Sequence, residues 1–103
     1  MNRPEPLTPA EAHDAIQRLL ALRDSIRWTQ HARNRAKDRR FTADDVRRVL
    51  VRGTVGPNPQ WHDQFQNWIY KVSGRDYDEE PLAVVIALEP QLGRITVITG
   101  EDA

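Results

Sequence analysis

Three strand-like segments in the second half of the chain constrain the fold more than any other feature. They are FQNWIYKVS (residues 65–73), PLAVVIALE (81–89) and LGRITVITG (92–100), all rich in residues with high β-propensity. The middle segment is apolar on both faces, which is typical of a central strand covered by helices on at least one side. The connecting stretches SGRDYDEEP and PQLG are short, and short connections favour antiparallel neighbours. We therefore expect an antiparallel sheet.

The first half of the chain predicts helices, each introduced by a threonine. Thr8 starts a capping box in front of a helix over about residues 9–23, with a proline in its first turn. Thr29 can cap a second helix over about residues 30–39. Thr42 can cap a third, whose first turn is acidic and complements the helix dipole. These helices would pack on the sheet.

The remaining stretches predict no long element. Residues 1–8 are expected to be disordered or extended, and SIRWT (25–29) suggests a short strand or an extended connector. RGTVGPNPQWHD (52–63) predicts a loop, because glycine and proline interrupt every periodicity. A chain of 103 residues suits one domain. The prediction is a single α+β domain with two to three amino-terminal helices packed on one face of a three- to four-stranded antiparallel sheet, residues 26–99 being the core and 9–23 an extra helix.

Composition narrows the chemistry. The absence of cysteine excludes a disulfide framework and a thiolate metal site, and the three histidines, at positions 13, 31 and 62, share no ligand spacing. We expect neither a metal nor another cofactor. The longest apolar run, residues 82–88, is too short to cross a bilayer, and MNRPEPLTP lacks the apolar stretch of a signal peptide. The expected compartment is the cytoplasm, without membrane attachment.

Charge is balanced overall and uneven along the chain. Fifteen basic residues match fifteen acidic ones, which argues against a general electrostatic grip on nucleic acid. Residues 23–52 nevertheless have a net charge of +6, and residues 76–103 have a net charge of −6. If folding separates these segments, one face is basic and another acidic. If folding joins them, they neutralise each other, and the sequence leaves both outcomes open.

The stretch TQHARNRAKDRRFTADDV (29–46) carries a histidine among five Lys or Arg residues. On a helix His31 and Arg35 are four residues apart and lie side by side, with Arg39 one turn further. An imidazole can accept a proton near neutral pH, so His31 is a candidate general base. The forked donors of Arg35 and Arg39 suit the oxygens of a phosphodiester. Such a set could cleave RNA without a metal.

Other interpretations fit the same stretch. His31 could be a structural residue at a helix start, and Arg35 and Arg39 could pair with Asp38, Asp44 or Asp45 on the neighbouring turns. A DNA-binding helix-turn-helix is disfavoured, because the third helix would bring two carboxylates to the phosphates. These alternatives assign the charged residues to packing and solvation.

The stretch also resembles a known signature, H-A-x-x-R-x-x-x-R-x-[IF]-T-x-x-D-V, of a small bacterial domain family of largely unknown function, similar to the RelE-like ribonuclease toxins. The later strands resemble that family in order and spacing, so that the resemblance covers about residues 26–99. It implies a helix-plus-antiparallel-sheet fold of the barnase, EndoU, colicin and RelE kind, and metal-independent RNA cleavage by attack of the 2′-hydroxyl. The positions that match the signature are His31, Ala32, Arg35, Arg39, Phe41, Thr42, Asp45 and Val46.

The resemblance implies roles for individual residues. His31 would be the base or the acid, and Arg35 and Arg39 would bind phosphate. Further substrate contacts are expected from Arg33, Arg40, Tyr70, Lys71 and Thr96. The chain departs from the pattern at its last strand, which ends in TGEDA and offers no basic or aromatic second catalyst. The alternative is a non-catalytic interaction module of the same fold, which binds a protein partner such as an antitoxin or immunity protein; RNA and protein are thus both candidate partners.

Overall fold

The computed structural model describes residues 3–103, which form three α-helices and one six-stranded sheet. The helices are α1 (Pro9–Leu20), α2 (Gln30–Arg39) and α3 (Ala43–Arg52). A short 3-10 helix, Pro90–Leu92, precedes the last strand. The strands are β1 (Ile26–Trp28), β2 (Thr54–Val55), β3 (Gln60–His62), β4 (Asn67–Arg75), β5 (Pro81–Glu89) and β6 (Arg94–Glu101).

The sheet is mostly antiparallel and has β5 at its centre. Its strand order is β1-β6-β5-β4-β2, and β3 pairs with β4 as well. Only the pairing of β1 with β6 is parallel within the described chain. All three helices lie in the amino-terminal half, so the predicted α+β class is confirmed, with more strands than the three or four expected.

The additional strands lie where the sequence predicted a loop. Within residues 52–63, Thr54 and Val55 pair with Ser73 and Val72, and Gln60–His62 pair with the first half of β4. Two or three residues are too few to show a period of two, so pairing with β4 defines these strands. At the other end of the chain, α1 stops at Leu20 instead of Arg23, since a turn with Asp24 at φ 54° follows it.

The helices cover one face of the sheet, and this helix face holds the core. Alternate strand residues point toward the helices, as the pleat requires. α3 packs over β4 and β5, α1 packs against α3 and β2, and α2 lies along β6. The opposite face, here called the open face, carries Lys71, Ser73 and Thr99. Core residues of the sheet include Tyr70, Val72, Val84, Ile86, Ile95 and Val97.

Residues 3–8 run as an irregular segment against β4. The indole Nε1 of Trp68 donates to the carbonyl of Pro4 (2.7 Å), and the Leu7 N–H donates to the Tyr70 hydroxyl (2.9 Å). The sequence predicted a disordered or extended start over residues 1–8; residues 3–8 contain no helix or strand, and residues 1 and 2 lie outside the described part of the chain. The longest helix between residues 3 and 103, α1, has 12 residues, and no helix there could span a bilayer.

Candidate functional site

Helix α2 takes the place of a strand beside the second half of β6. Strand β1 ends at Trp28, opposite Val97, and from there the chain turns into α2. The Thr29 hydroxyl accepts a hydrogen bond from the Ala32 N–H (3.0 Å) and donates one to the carbonyl of Ile98 (3.0 Å). One side chain thus caps α2 and fixes its start on β6. Because Ala32 is small and fully buried, the helix can approach the strand closely.

Two of the three predicted catalytic residues contact the end of β6. The Nε of Arg35 donates to the carbonyl of Gly100 (3.3 Å), which leaves its two terminal amino groups without a hydrogen-bond partner among residues 3–103. Arg39 forms an ion pair with Asp102. His31 is exposed and has no side-chain hydrogen bond within the same residues. Along α2, therefore, the His31 imidazole is accessible, the Arg35 guanidinium is held by a backbone carbonyl, and the Arg39 guanidinium is paired with a carboxylate.

The other residues of the same stretch have structural contacts. Phe41 is buried and its ring lies near that of Trp28, at 6.1 Å between centroids. The ring also presses on Gly100, so closely that a Cβ atom there would collide with it. Through these contacts Phe41, which lies between α2 and α3, packs both helices against β6.

Asp45 stabilises the start of α3 and a distant loop. Its carboxylate accepts from the backbone N–H of Thr42 (2.9 Å) in a capping box, and from the N–H of Tyr77 (2.9 Å). Burial opposes its ionisation, but the hydrogen bonds from Tyr77 and Thr42 outweigh that cost and hold the pKa of Asp45 below its usual value. With its oxygens engaged, Asp45 is not the partner of Arg35 or Arg39, and their observed partners lie in residues 100–102 instead.

The structure separates the two candidates on β4. Tyr70 points to the helix face, and burial raises the pKa of its hydroxyl despite the hydrogen bond from Leu7. Lys71 points to the open face, where its Nζ pairs with Glu101 at 2.7 Å. Of these two, only Lys71 can meet a ligand on the open face.

Thr96 belongs to a separate polar cluster on the open face. Its hydroxyl donates to Glu89 (3.0 Å), which also receives two hydrogen bonds from Arg94 (3.0 and 3.1 Å). The hydrogen bond from Arg94 lowers the pKa of Glu89. Thr96 is only 8% exposed, so the cluster holds β5 and β6 together and leaves little of Thr96 for a ligand.

A groove of about 510 Å³ lies on the open face beside the segment of β6 that α2 follows. Its floor is apolar, and its walls carry amides and the Lys71–Glu101 pair. His31 and Arg35 are outside its lining within the described chain, on the far side of β6. Asn58 and Gln60 line it and were missed from the sequence, since they lie in a stretch without periodicity. Its floor and rim include Ile69, Val85, Ile98, Lys71, Thr99 and Glu101.

A second cavity, of about 420 Å³, lies beside Arg39 and Arg40 and is mostly acidic. Its carboxylates come from the loop after β4 and from residues 101 and 102.

Arg40 is exposed at the end of α2, with φ 59°, and Arg33 is exposed on the same helix. Folding thus brings the basic and acidic segments together, as in the pairs Arg39–Asp102 and Arg48–Glu79. Among residues 3–103 no group of three or more His, Asp or Glu residues could hold a metal ion.

These features define a small α+β domain with helices on one face of an antiparallel sheet and a grooved open face on the other. The chain belongs to the family described as a domain of unknown function (DUF4258), whose model matches residues 28–99. No curated protein and no solved structure matches the chain significantly. The match includes α2, α3 and β2 to β5, whereas α1 and residues 100–103 lie outside it.

Proposed function

We propose that this protein is a metal-independent ribonuclease that cleaves single-stranded RNA by attack of the 2′-hydroxyl, and that its domain is a distant relative of the RelE-like toxins. The observation that carries the proposal is the pair formed by His31 and Arg35. The imidazole is exposed and one helical turn away from a guanidinium that Gly100 holds in place. Amino-terminal helices on an antiparallel sheet with an open face support the relationship. Cellular RNA would be met in the cytoplasm, the compartment expected from the sequence.

The chemistry requires a base, an acid and a stabiliser of negative charge. His31 would accept the proton of the 2′-hydroxyl as that oxygen attacks phosphorus. The bond from phosphorus to the 5′-oxygen then breaks, and that oxygen takes up a proton, which leaves a 2′,3′-cyclic phosphate and a 5′-hydroxyl. The free amino groups of Arg35 would bind the charge that develops on the phosphate oxygens.

The scheme also needs a source of the proton for the leaving 5′-oxygen, and the sequence analysis found no second catalyst for it. Tyr70 is turned to the helix face and hydrogen bonded to Leu7, so it cannot protonate a leaving group on the open face. Lys71 is 56% exposed on the open face, but it lines the groove, across β6 from His31 and Arg35. We therefore assign protonation of the leaving 5′-oxygen to a solvent water, and we assign Lys71, Arg33, Arg39 and Arg40 as contacts to neighbouring phosphates.

The test is cleavage of a labelled single-stranded RNA in the presence of EDTA, with the products resolved by end-group chemistry. We expect a 2′,3′-cyclic phosphate product and a rate that falls by about 100-fold or more in His31→Ala. His13→Ala removes an imidazole from α1, outside the family match, and should leave the rate unchanged. Loss of cleavage with EDTA, or full activity of His31→Ala, would contradict the proposal.

The second candidate is a non-catalytic module that binds a protein on its open face. It is favoured by one observation: Lys71 and Arg39 are already neutralised by Glu101 and Asp102, and the groove beside Lys71 has an apolar floor. In that case His31→Ala would change nothing in cells. Ile69→Glu, which places a charge in the groove, would abolish both partner binding and any growth arrest on expression.

A further inference from the structure

Three consecutive residues, the last two of β6 and the one that follows it, each contact one cation of the candidate site. The carbonyl of Gly100 accepts from Arg35, the carboxylate of Glu101 pairs with Lys71 at 2.7 Å, and the carboxylate of Asp102 pairs with Arg39. We call Glu101 and Asp102 the acidic clip. No residue of the clip lies within the family match, which ends at position 99.

Neighbouring residues can hold cations on two sides of the molecule because side chains alternate along a strand. Glu101 is opposite Ala83 on β5 and points to the open face. Lys71, opposite Val85 on the same strand, reaches it diagonally across the small alanine. Asp102 follows the strand and meets Arg39 at the end of α2. The acidic clip therefore neutralises one cation on each side of β6, Lys71 on the open face and Arg39 on α2.

Both ion pairs are open to solvent. Lys71 and Glu101 are 56% and 36% exposed, and Arg39 and Asp102 are 38% and 80% exposed. Pairs of this kind contribute little to folding and exchange readily with other ions. An RNA phosphate carries the same charge as a carboxylate and offers the same oxygen acceptors, so it can replace each carboxylate on its cation.

We propose that Glu101 and Asp102 are a built-in competitor for polyanionic substrate: they occupy Lys71 and Arg39 in the free protein and are displaced by phosphates of the bound strand. This inference rests on the proposed function, because it assigns RNA as the polyanion. It also explains how a domain with no net charge can bind a ligand through Lys71 and Arg39 without binding every polyanion tightly, because both cations are paired with carboxylates in the free protein. The acidic clip sets the affinity, and Arg35, held by a backbone carbonyl, stays available throughout.

The experiment is fluorescence anisotropy with a labelled 2′-O-methyl oligouridylate, which cannot be cleaved by its own 2′-oxygen. Glu101→Gln and Asp102→Asn should each tighten binding about two- to fivefold, and together about tenfold, since each removes one exposed ion pair that competes with phosphate. The slope of log affinity against log salt should steepen by about 0.7 for each cation released from its carboxylate. Asp14→Asn makes the same charge change on the exposed surface of α1 and should have no such effect.

Paired substitutions separate competition from a general change in charge. The gain from Asp102→Asn should vanish when Arg39→Ala is added and persist with Lys71→Ala, whereas the gain from Glu101→Gln should show the opposite dependence. Equal gains in Asp14→Asn, gains that ignore these pairings, or no binding by any variant would each overturn the inference. RNA cleavage is measured separately: tighter binding without cleavage in any variant supports the acidic clip and rejects the nuclease, and cleavage with unchanged affinities does the reverse.

Discussion

Helices α2 and α3 have ten residues each and follow one another in the chain, yet they are held in opposite ways. α3 buries Val46, Val49 and Leu50 against the sheet. α2 buries only Ala32 completely and is attached to β6 through Thr29 and Arg35. Apolar burial stabilises α3, whereas polar contacts with one strand position α2.

This difference shows which helix can carry a site. A helix held by apolar burial loses stability with nearly any change on its inner face, and its outer face is free of constraint. A helix held by directed hydrogen bonds to one strand has its side chains positioned relative to that strand. α2 can therefore present His31 and Arg35 at a defined place beside β6 while both remain within reach of solvent or ligand. The following predictions test that contrast, from the largest effect to the smallest.

Leu50→Ala should be the most damaging single change on α3. Leu50 is 1% exposed, and removal of a buried leucine side chain costs about 2 to 5 kcal/mol. Val51→Ala, one residue later and 43% exposed, should stay within about 0.5 kcal/mol of the parent. Urea denaturation with both variants measures the difference. A cost under 1 kcal/mol for Leu50→Ala would mean that burial does not hold α3.

Gly100→Ala should disturb the junction of the two helices. Its new Cβ would collide with the Phe41 ring, and overpacking of this kind costs about 1 to 3 kcal/mol. Phe41→Leu added to Gly100→Ala should recover part of the loss, because the smaller side chain leaves room. Gly56→Ala meets only an ordinary contact, the Lys71 carbonyl at 3.5 Å, and serves as the control in a thermal melt. If both glycine variants melt alike, Phe41 is not packed against Gly100.

Asp45 makes the stability of α3 depend on pH. Its folded pKa lies below the unfolded value, so its ionised form stabilises the fold above about pH 4, and that stabilisation is lost as pH falls through the folded pKa. Asp45→Asn should lower the free energy of unfolding at pH 7 by about 1 kcal/mol, as expected for a lost cap, and flatten its dependence between about pH 5 and 2. Unfolding of Asp44→Asn, in the same helical turn and exposed, should keep the parent profile. Parallel profiles for Asp45→Asn and the parent would contradict the assignment.

The sequence predicts the elements whose signals are local. The threonine caps at positions 8, 29 and 42 are confirmed, and PLAVVIALE matches β5 at both ends. Strands β2 and β3 are different, because their two or three residues acquire their conformation only by pairing with β4. A pattern within the chain cannot show a strand that short.

The site is predictable only along α2 itself. Helical spacing shows that His31, Arg35 and Arg39 lie on one side, but the partners of the two arginines in residues 100–102 are more than sixty positions away. Tyr70 and Lys71 illustrate the same limit: the pleat places neighbours on opposite faces, and the sequence does not show which face the helices cover. Only the packed sheet places the side chain of Lys71 on the open face and that of Tyr70 in the core.

The smallest predicted effect concerns the two arginines of α2. Arg39→Ala removes an exposed ion pair and should change the free energy of unfolding by no more than about 0.5 kcal/mol, whereas Arg35→Ala removes a half-buried hydrogen bond to β6 and should cost about 1 kcal/mol. Urea denaturation of the two variants at low and high salt compares them directly, and only the Arg39 effect should fade as salt screens the charge. A cost above 1.5 kcal/mol for Arg39→Ala would make Asp102 a structural anchor of α2, and the acidic clip could then not yield to a phosphate without loosening the helix that carries His31.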